Sequence, residues 1–446
     1  MTLRSPTIAP SLIGAKAPSA AWRMVGLLML VQTVSYIDRF LPSLMTPAIK
    51  ADLHLSDFQI GLLLGPAFAL FYVAVGLPFG WAADRLPRRG LLAFGITVWS
   101  MMTSAAAFAS GFGPLFAARL GVGFGEAAVA PCAVSLISDV FDRLRRPKAI
   151  SLYMAGSFIG AGSAFLFGGP VVQLIEGSPP LIAGMHPWQS VFLLAGLPGL
   201  LLAALMFSFP EPQRRDLTRT TGVSLGAAVR FIASRWRAFG ALFVGSACVV
   251  TLGSLSLWNV ALFQRNWGWS VGQVGVATGL LYFTAGPLGT LAGIVLTQRW
   301  NLQGRRDATL RTLITGLMIA APGFILFPLA PSAAVGLCGM FVGFVGQAMA
   351  TAAGPASLTL LAPGQIRSQA TSVYYLVIGL AGQLLGPPPV GWMVDKFGHP
   401  SALKYAVSLE AVAVAAPTLI LLFLGLKAFR ARAEELEREG AEAADV

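Results

Sequence analysis

Charge is what this chain has least of. Only 11% of its 446 residues are Asp, Glu, Lys or Arg, where a soluble domain carries about 25%. So few charges cannot clothe a water-facing surface of this size. A soluble fold is therefore excluded, and a bilayer-embedded chain is expected from 56% hydrophobic residues and a mean hydropathy of +0.72. Cysteine is also scarce. Cys132, Cys248 and Cys338 lie in apolar stretches without paired spacing, which excludes a disulfide framework or a thiolate metal site. The histidines are His54, His186 and His399, all expected in outer loops or at helix ends. They form no nucleophile–base pair and no metal cluster, so neither an enzyme nor a cofactor is expected. Residues 1–21 lack the charged-then-apolar layout of a cleaved signal, and the first apolar segment is expected to act as its own insertion signal.

Apolar runs are what the chain has in quantity. Glycine and proline, at 50 and 29 residues, are both more frequent in membrane helices than in soluble ones. A spanning helix needs about 20 apolar residues. That measure gives twelve segments, 22–44, 57–80, 90–110, 113–138, 148–172, 190–209, 238–263, 271–297, 308–328, 332–361, 368–394 and 403–426. The expected fold class is an all-α membrane protein in two pseudo-symmetric six-helix bundles, 22–209 and 238–426. Residues 1–21 form an N-terminal segment. Residues 210–237 form a linker whose Val223–Trp236 stretch reads as an amphipathic helix on the membrane surface. Residues 427–446 form a tail that extends the last helix briefly.

The basic residues orient these spans. With the N-terminus in the cytoplasm, nearly every Lys and Arg falls on the inner side. The exceptions are Lys50, Arg265, Lys396 and Lys404 outside, and Arg39 and Arg119 within spans. This positive-inside bias accounts for the net charge of +12 without nucleic acid as a partner. It places both termini in the cytoplasm of an inner membrane, in a protein expected to be a monomer among anionic lipids.

Four charges interrupt apolar spans: Asp38 and Arg39 in the first, Arg119 and Glu126 in the fourth. A charge at bilayer depth costs at least about 2.5–3.5 kcal/mol and usually marks an ion or substrate path. Arg119 and Glu126 are seven residues apart, about two turns and 10 Å along one face. Asp38 and Arg119 fall at matching depth, and Arg39 can swing towards Glu126. Asp38 and Glu126 are the candidate proton-coupling acids. Arg39, Arg119 and neighbouring Tyr36 are the candidate substrate and charge cluster. A static cluster that only fixes packing is the competing reading.

The halves repeat. Ser56-Asp57-Phe58-Gln59-Ile60-Gly61 opens the second span and Ser270-Val271-Gly272-Gln273-Val274-Gly275 the eighth. Internal repeats of this kind are usual in transporters. Aligned on Pro131 and Pro355, Glu126 falls opposite Ala350, so the buried charges belong to one half alone. The other half offers neutral polar groups, of which Asn259, Gln347, Thr351 and Tyr375 are candidate cavity-lining residues. Glycine- and proline-rich breaks are expected at Gly168-Gly169-Pro170 and Gly386-Pro387-Pro388-Pro389. Asp395 is expected near the outer surface, and Glu410 to face water.

Gly80-Trp81-Ala82-Ala83-Asp84-Arg85-Leu86-Pro87-Arg88-Arg89 resembles the signature loop of the major facilitator superfamily, with Pro87 where glycine is common. Gly80, Asp84, Arg85, Arg88 and Arg89 are the candidate cytoplasmic gate, in which Asp84 would pair with arginines and face a helix N-terminus across the bundle interface. Tyr36-Ile37-Asp38-Arg39, Asp52 to Leu63, this loop, and Arg119 to Glu126 with Pro131 and Ser138-Asp139 together look like a bacterial member of the Spinster family. The likeness is strongest over residues 30–170. It implies proton coupling and headgroup binding at Asp38, Arg39, Arg119 and Glu126. It also implies an amphiphilic, lipid-like anion such as a lysolipid or sphingoid lipid, moved with protons by alternating access. A multidrug or organic-anion carrier is the alternative within transport, and a lipid scramblase or receptor outside it.

Overall fold

The computed structural model describes residues 19–142, 145–214, 225–363, 366–399 and 401–442; most of the 1–21 segment and the end of the tail lie outside them. The first half contains α1 (Ser19–Asp52), α2 (Asp57–Leu64), α3 (Pro66–Ala83), α4 (Arg88–Ala106), α5 (Phe112–Glu126), α6 (Val129–Val140), α7 (Arg146–Leu166), α8 (Gly168–Glu176) and α9 (Pro187–Leu205). After the linker helix α10 (Leu225–Ser234), the second half contains α11 (Trp236–Ser254), α12 (Asn259–Trp267), α13 (Val271–Leu302), α14 (Ala308–Leu326), α15 (Ala333–Leu361), α16 (Arg367–Leu385), α17 (Pro387–Phe397) and α18 (Ala402–Glu442). Eleven stretches are long and apolar enough to span a bilayer. With the 19-residue α4, the two bundles hold the expected twelve.

Five spans are broken, and the sequence explains most of the breaks. α2 meets α3 at Gly65, and α16 meets α17 at Gly386; each joint is followed by a proline at the first position of the next helix, where the missing N–H costs nothing. α7 meets α8 at Phe167, ahead of Gly168-Gly169-Pro170. α11 passes through a 3₁₀ turn, Leu255–Trp258, into α12. The break between α5 and α6 falls at Ala127-Ala128, directly after Glu126.

The two ends of the bundles differ. The basic end carries Arg88, Arg146, Arg235, Arg306 and Arg430. At the opposite end the halves are zipped together. α2 packs on α17, and α7 and α8 pack on α13. The approach is backbone to backbone: a Cβ on Gly61 would lie 2.6 Å from the Pro387 carbonyl oxygen, and one on Gly275 2.6 Å from that of Phe165. Polar links join the halves here. Arg265 Nη2 reaches Asp57 at 2.7 Å, and Lys50 pairs with the same carboxylate. The Asp395 carboxylate accepts the Asp57 and Phe58 backbone N–H groups at 2.9 and 2.8 Å. Gln173 accepts from Gly272 N–H at 3.1 Å and Ser270 Oγ at 3.0 Å.

At the basic end α10 packs Phe231 and Ile232 on the second half and buries Ala228, while Val229 stays exposed. One expectation is corrected here. The tail does not fray early: α18 continues to Glu442. It does so because Arg432, 3% exposed, is held by Glu435 and Glu439 at 2.8 and 2.9 Å and lies 5.3 Å from the Phe231 ring.

Candidate functional site

A cavity of about 450 Å³ lies between the halves. Its lining steps from Phe40, Tyr282 and Phe344 near the zipped end to Ser157, Thr290 and Thr351 nearer the basic end. The narrow end is stoppered by aromatic rings from both halves. Tyr282 stacks on Phe165 at 5.7 Å, meets Phe40 at 5.9 Å and Phe344 at 4.9 Å, and its hydroxyl lies 3.2 Å from Ser256 Oγ.

The four embedded charges form two pairs on the first-half side. At the cavity wall, Arg39 Nη2 reaches Glu126 Oε2 at 2.6 Å, and Ser35 Oγ donates to the same oxygen at 2.8 Å. The Arg39 guanidinium sits in an aromatic cage, 4.6, 4.4 and 5.2 Å from the rings of Tyr36, Phe68 and Tyr72. Such a cage favours a cation by about 0.5–2 kcal/mol per ring. Behind this, inside the bundle, Arg119 Nη1 lies 3.7 Å from Asp38 Oδ2, and Thr103 Oγ1 donates to Asp38 at 2.9 Å. Asp38, Arg119 and Glu126 are all at most 4% exposed, whereas Arg39 retains 21% side-chain exposure. Among the described residues, Arg39 Nε and Glu126 Oε1 have no hydrogen-bond partner. Both atoms are buried behind the cavity wall, so the pair keeps bonding capacity that this arrangement leaves unused.

Several members of this constellation gave no sequence signal. Ser35, Phe68, Tyr72 and Thr103 look like ordinary membrane-helix residues, and only the packing of α5 against α3 and α4, with side chains of α1 reaching across to all three, brings them together. Among the expected cavity residues, Gln347 and Thr351 do line it. Asn259 does not: it is 1% exposed, and its Nδ2 points at Met340 Sδ, 3.3 Å away. Tyr375 also lies off the lining and packs on Tyr374 at 5.2 Å. Glu410 is buried, not water-facing.

The basic-end loop departs from expectation as well. Arg88 is buried and binds Asp139, Ser135, the Pro212 carbonyl and Glu211, the last at 2.9 Å. Arg89 donates its backbone N–H to Glu211 and its guanidinium to the Phe209 carbonyl. Burial pushes the Glu211 carboxyl up, but the Arg89 N–H and the Arg88 guanidinium outweigh it and hold the group below its ordinary 4.5. Arg85 stacks on Trp81 at 4.2 Å. Among the described residues the Asp84 carboxylate has no partner; Arg214 instead binds the backbone carbonyls of Ala83, Asp84 and Leu86. The arginine-to-acid pairing thus stays within the first half and the start of the linker. Among the described residues no hydrogen bond or ion pair of this loop reaches the second half.

Two repeated six-span bundles around a polar-patched central cavity define a membrane transporter fold. The chain belongs to the major facilitator superfamily, which it matches over residues 28–258 and 242–444. It is 28% identical over 385 residues, 85% of each chain, to an MFS-type efflux pump of Mycolicibacterium smegmatis. To protein spinster homolog 1 of Xenopus tropicalis it is 25% identical over 427 residues, 90% of this chain and 78% of that one. A solved bacterial homolog of the human lysosomal transporter Spinster, inward-facing and unoccupied, superposes with a TM-score of 0.78. That match covers 95% of this chain and 99% of the other at 24% identity. The protein is thus a multi-pass membrane transporter of small molecules, related to the Spinster proteins, and its superfamily is one of carriers rather than enzymes.

Proposed function

We propose that this transporter is proton-coupled, works by alternating access, and carries an amphiphilic anion of lysolipid or sphingoid type. The observation behind this reading is the Arg39–Glu126 pair, whose Arg39 is caged by aromatics and lines a largely apolar cavity with Glu126 buried behind it. With Glu126 ionised, Arg39 is neutralised by it. A proton on Glu126 removes that charge, and an unpaired buried cation is costly, so Arg39 turns to an anionic headgroup. Asp38 does the same for Arg119 one layer deeper, and ties α1 to α4 and α5 through Thr103 and Arg119.

Phe158, Val250, Leu257 and Phe344 give an apolar chain its surface, while Gln347 and Thr351 face the headgroup side with hydrogen-bonding groups. Alternating access exchanges the zipped end for the open one: the polar links at Asp57, Asp395 and Gln173 part, and Asp84 gains a helix N-terminus of the second half. Positive-inside bias puts the basic end, both termini and the 210–237 linker in the cytoplasm of an inner membrane, with the bundles acting as a monomer. A scramblase or receptor would use the same cavity without proton dependence.

The test is uptake and efflux of labelled lysolipids in proteoliposomes with an imposed pH gradient. The wild-type protein is expected to respond to the gradient. Glu126→Gln is expected to lose at least about tenfold of the gradient-driven flux, a difference of 1.4 kcal/mol, while retaining substrate exchange. Gradient-driven flux of normal size and pH dependence in Glu126→Gln removes this residue from the coupling step.

A further inference from the structure

Several polar side chains on the wall of the central cavity are engaged inside the protein. Ser157 accepts from Gln32 Nε2 at 2.9 Å, Ser254 donates to the Thr251 and Gly382 carbonyls, and Thr351 donates to the Gln347 carbonyl at 2.8 Å. Gln347 and Gln383 are not. They line the cavity from α15 and α16 of the second half, and among the described residues neither amide has a hydrogen-bond partner. An amide carries two donors and an acceptor. Both therefore keep their full bonding capacity at a wall that is otherwise largely apolar.

Gln347 sits in a place made for it. A Cβ on Gly253 would lie 1.8 Å from Gln347 Nε2, so the amide rests on the bare backbone of α11, and any side chain at 253 displaces it. The repeat puts this contact in register with the charged pair. Aligned on Ser56 and Ser270, Gly253 falls opposite Arg39. On the alignment that sets Glu126 against Ala350, Gln347 lies about one turn before the counterpart of Glu126. The second half thus sets an amide over a glycine where the first sets a guanidinium against a carboxylate. Gln383 is brought to the same face of α11 by its neighbour Gly382, whose carbonyl accepts the Ser254 hydroxyl at 2.9 Å.

We infer that Gln347 and Gln383 form a second subsite of the cavity, which binds an uncharged hydroxyl of the substrate while Arg39 takes its anionic group. The inference rests on the amphiphilic-anion reading and narrows it to amphiphiles that carry a free hydroxyl besides the anion, as a monoacyl glycerophosphate does and a simple alkyl phosphate or fatty acid does not. A neutral amide does not compensate an ion, but it both donates and accepts, and so does a hydroxyl. When the bundles close on a ligand and expel water, a substrate hydroxyl gives the amides their partners. A chain without one leaves them buried and unpaired, and a site built to bond a hydroxyl rejects the analogue that lacks it.

Equilibrium binding to the purified full-length protein tests this with two probes, oleoyl lysophosphatidic acid and its analogue without the glycerol hydroxyl. They share chain and phosphate and differ in the hydroxyl alone. The wild-type protein is expected to bind the hydroxyl probe at least about tenfold tighter, a difference of 1.4 kcal/mol. Gln347→Leu combined with Gln383→Leu is expected to bring the two affinities together at an unchanged melting temperature, because no internal hydrogen bond is lost. Gly253→Ala reaches the same site by another route, by displacing the Gln347 amide, and is expected to lower the ratio as well. A general defect of folding weakens both probes alike and leaves the ratio as it was. Equal affinities in the wild type, or a preference that survives the double variant, overturn the subsite and leave the transport reading standing. A hydroxyl preference in a protein whose flux ignores a pH gradient defeats the coupling and leaves the subsite in place; binding of neither probe overturns both the subsite and the amphiphilic substrate.

Discussion

The zipped end is one device built twice. α2 and α13 each begin with a Ser-x-x-Gln capping box, Ser56 with Gln59 and Ser270 with Gln273. Each inserts a glycine against the backbone of the other half, and each has its N-terminal N–H groups bound by a side chain from the broken helix opposite. At α13 that side chain is the neutral Gln173; at α2 it is the carboxylate of Asp395, flanked by Asp57, Lys50 and Arg265. The bilayer-depth charges follow the same division, since Glu126 in the first half corresponds to Ala350 in the second. The neutral copy shows that the architecture needs no charge to form. The charged copy is where opening and closing can respond to ions.

The comparison is broken most severely at Arg119. Arg119→Met leaves Asp38 buried without its cation, and breaking such a pair costs about 3–5 kcal/mol. A large fall in melting temperature in detergent is expected, against little change for Gln347→Leu in the second half. Equal effects would mean that the charged layer carries no special structural weight.

The next effect is at the seams. Asp395→Ala removes a charged acceptor from two N–H groups, about 1.5–3 kcal/mol per charged bond, whereas Gln173→Ala removes neutral bonds of about 0.5–1.5 kcal/mol each. Spin labels across the zipped end are expected to show more of the open population in Asp395→Ala. A larger opening in Gln173→Ala would reverse the assignment of the charged seam as the labile one.

The smallest effect is at the basic end, where the halves carry comparable clamps. Glu211 is held by Arg88 and Arg89, and Asp307 by Arg311 and Arg430 at 2.8 and 2.7 Å. Burial raises Asp307, but those arginines hold it below its ordinary 3.8, as Glu211 is held below 4.5. Both carboxyls bind protons more weakly folded than unfolded. Their stabilisation is therefore complete above those ordinary values and is lost as pH falls through the lower folded ones. Melting temperature is expected to be flat near neutrality and to drop only below about pH 4. Removing either acid as its amide should flatten that acid limb by a similar amount.

Much of this was legible in the chain because lipid is a strict solvent. Every spanning backbone must satisfy itself, so apolar length marks the spans, glycine–proline runs mark the breaks at Phe167 and Gly386, and a buried charge stands out. The two pairings were within reach because helix rise fixes depth. What escaped was lateral position. Asn259 and Gln347 are alike in sequence, yet one is buried against Met340 and the other lines the cavity. Tyr72 and Phe68 become a cation cage only because the folded bundle sets α3 within reach of the Arg39 side chain. The Asp84 loop carries its signature except at Pro87, but Arg88 and Arg89 turned to Glu211 and Asp139 because the fold sets the start of the linker and the end of α6 beside them.

The sequence alone determined a two-fold, twelve-span membrane chain with its embedded charges confined to one half, since hydropathy, charge and repeat spacing act along the chain. Only the tertiary structure decided which acid meets which base, which end is closed, and which amides of the cavity wall, among the described residues, are left without partners. Those depend on which faces of neighbouring helices meet, and a one-dimensional pattern of apolar residues does not specify them when lipid and protein interior are equally apolar.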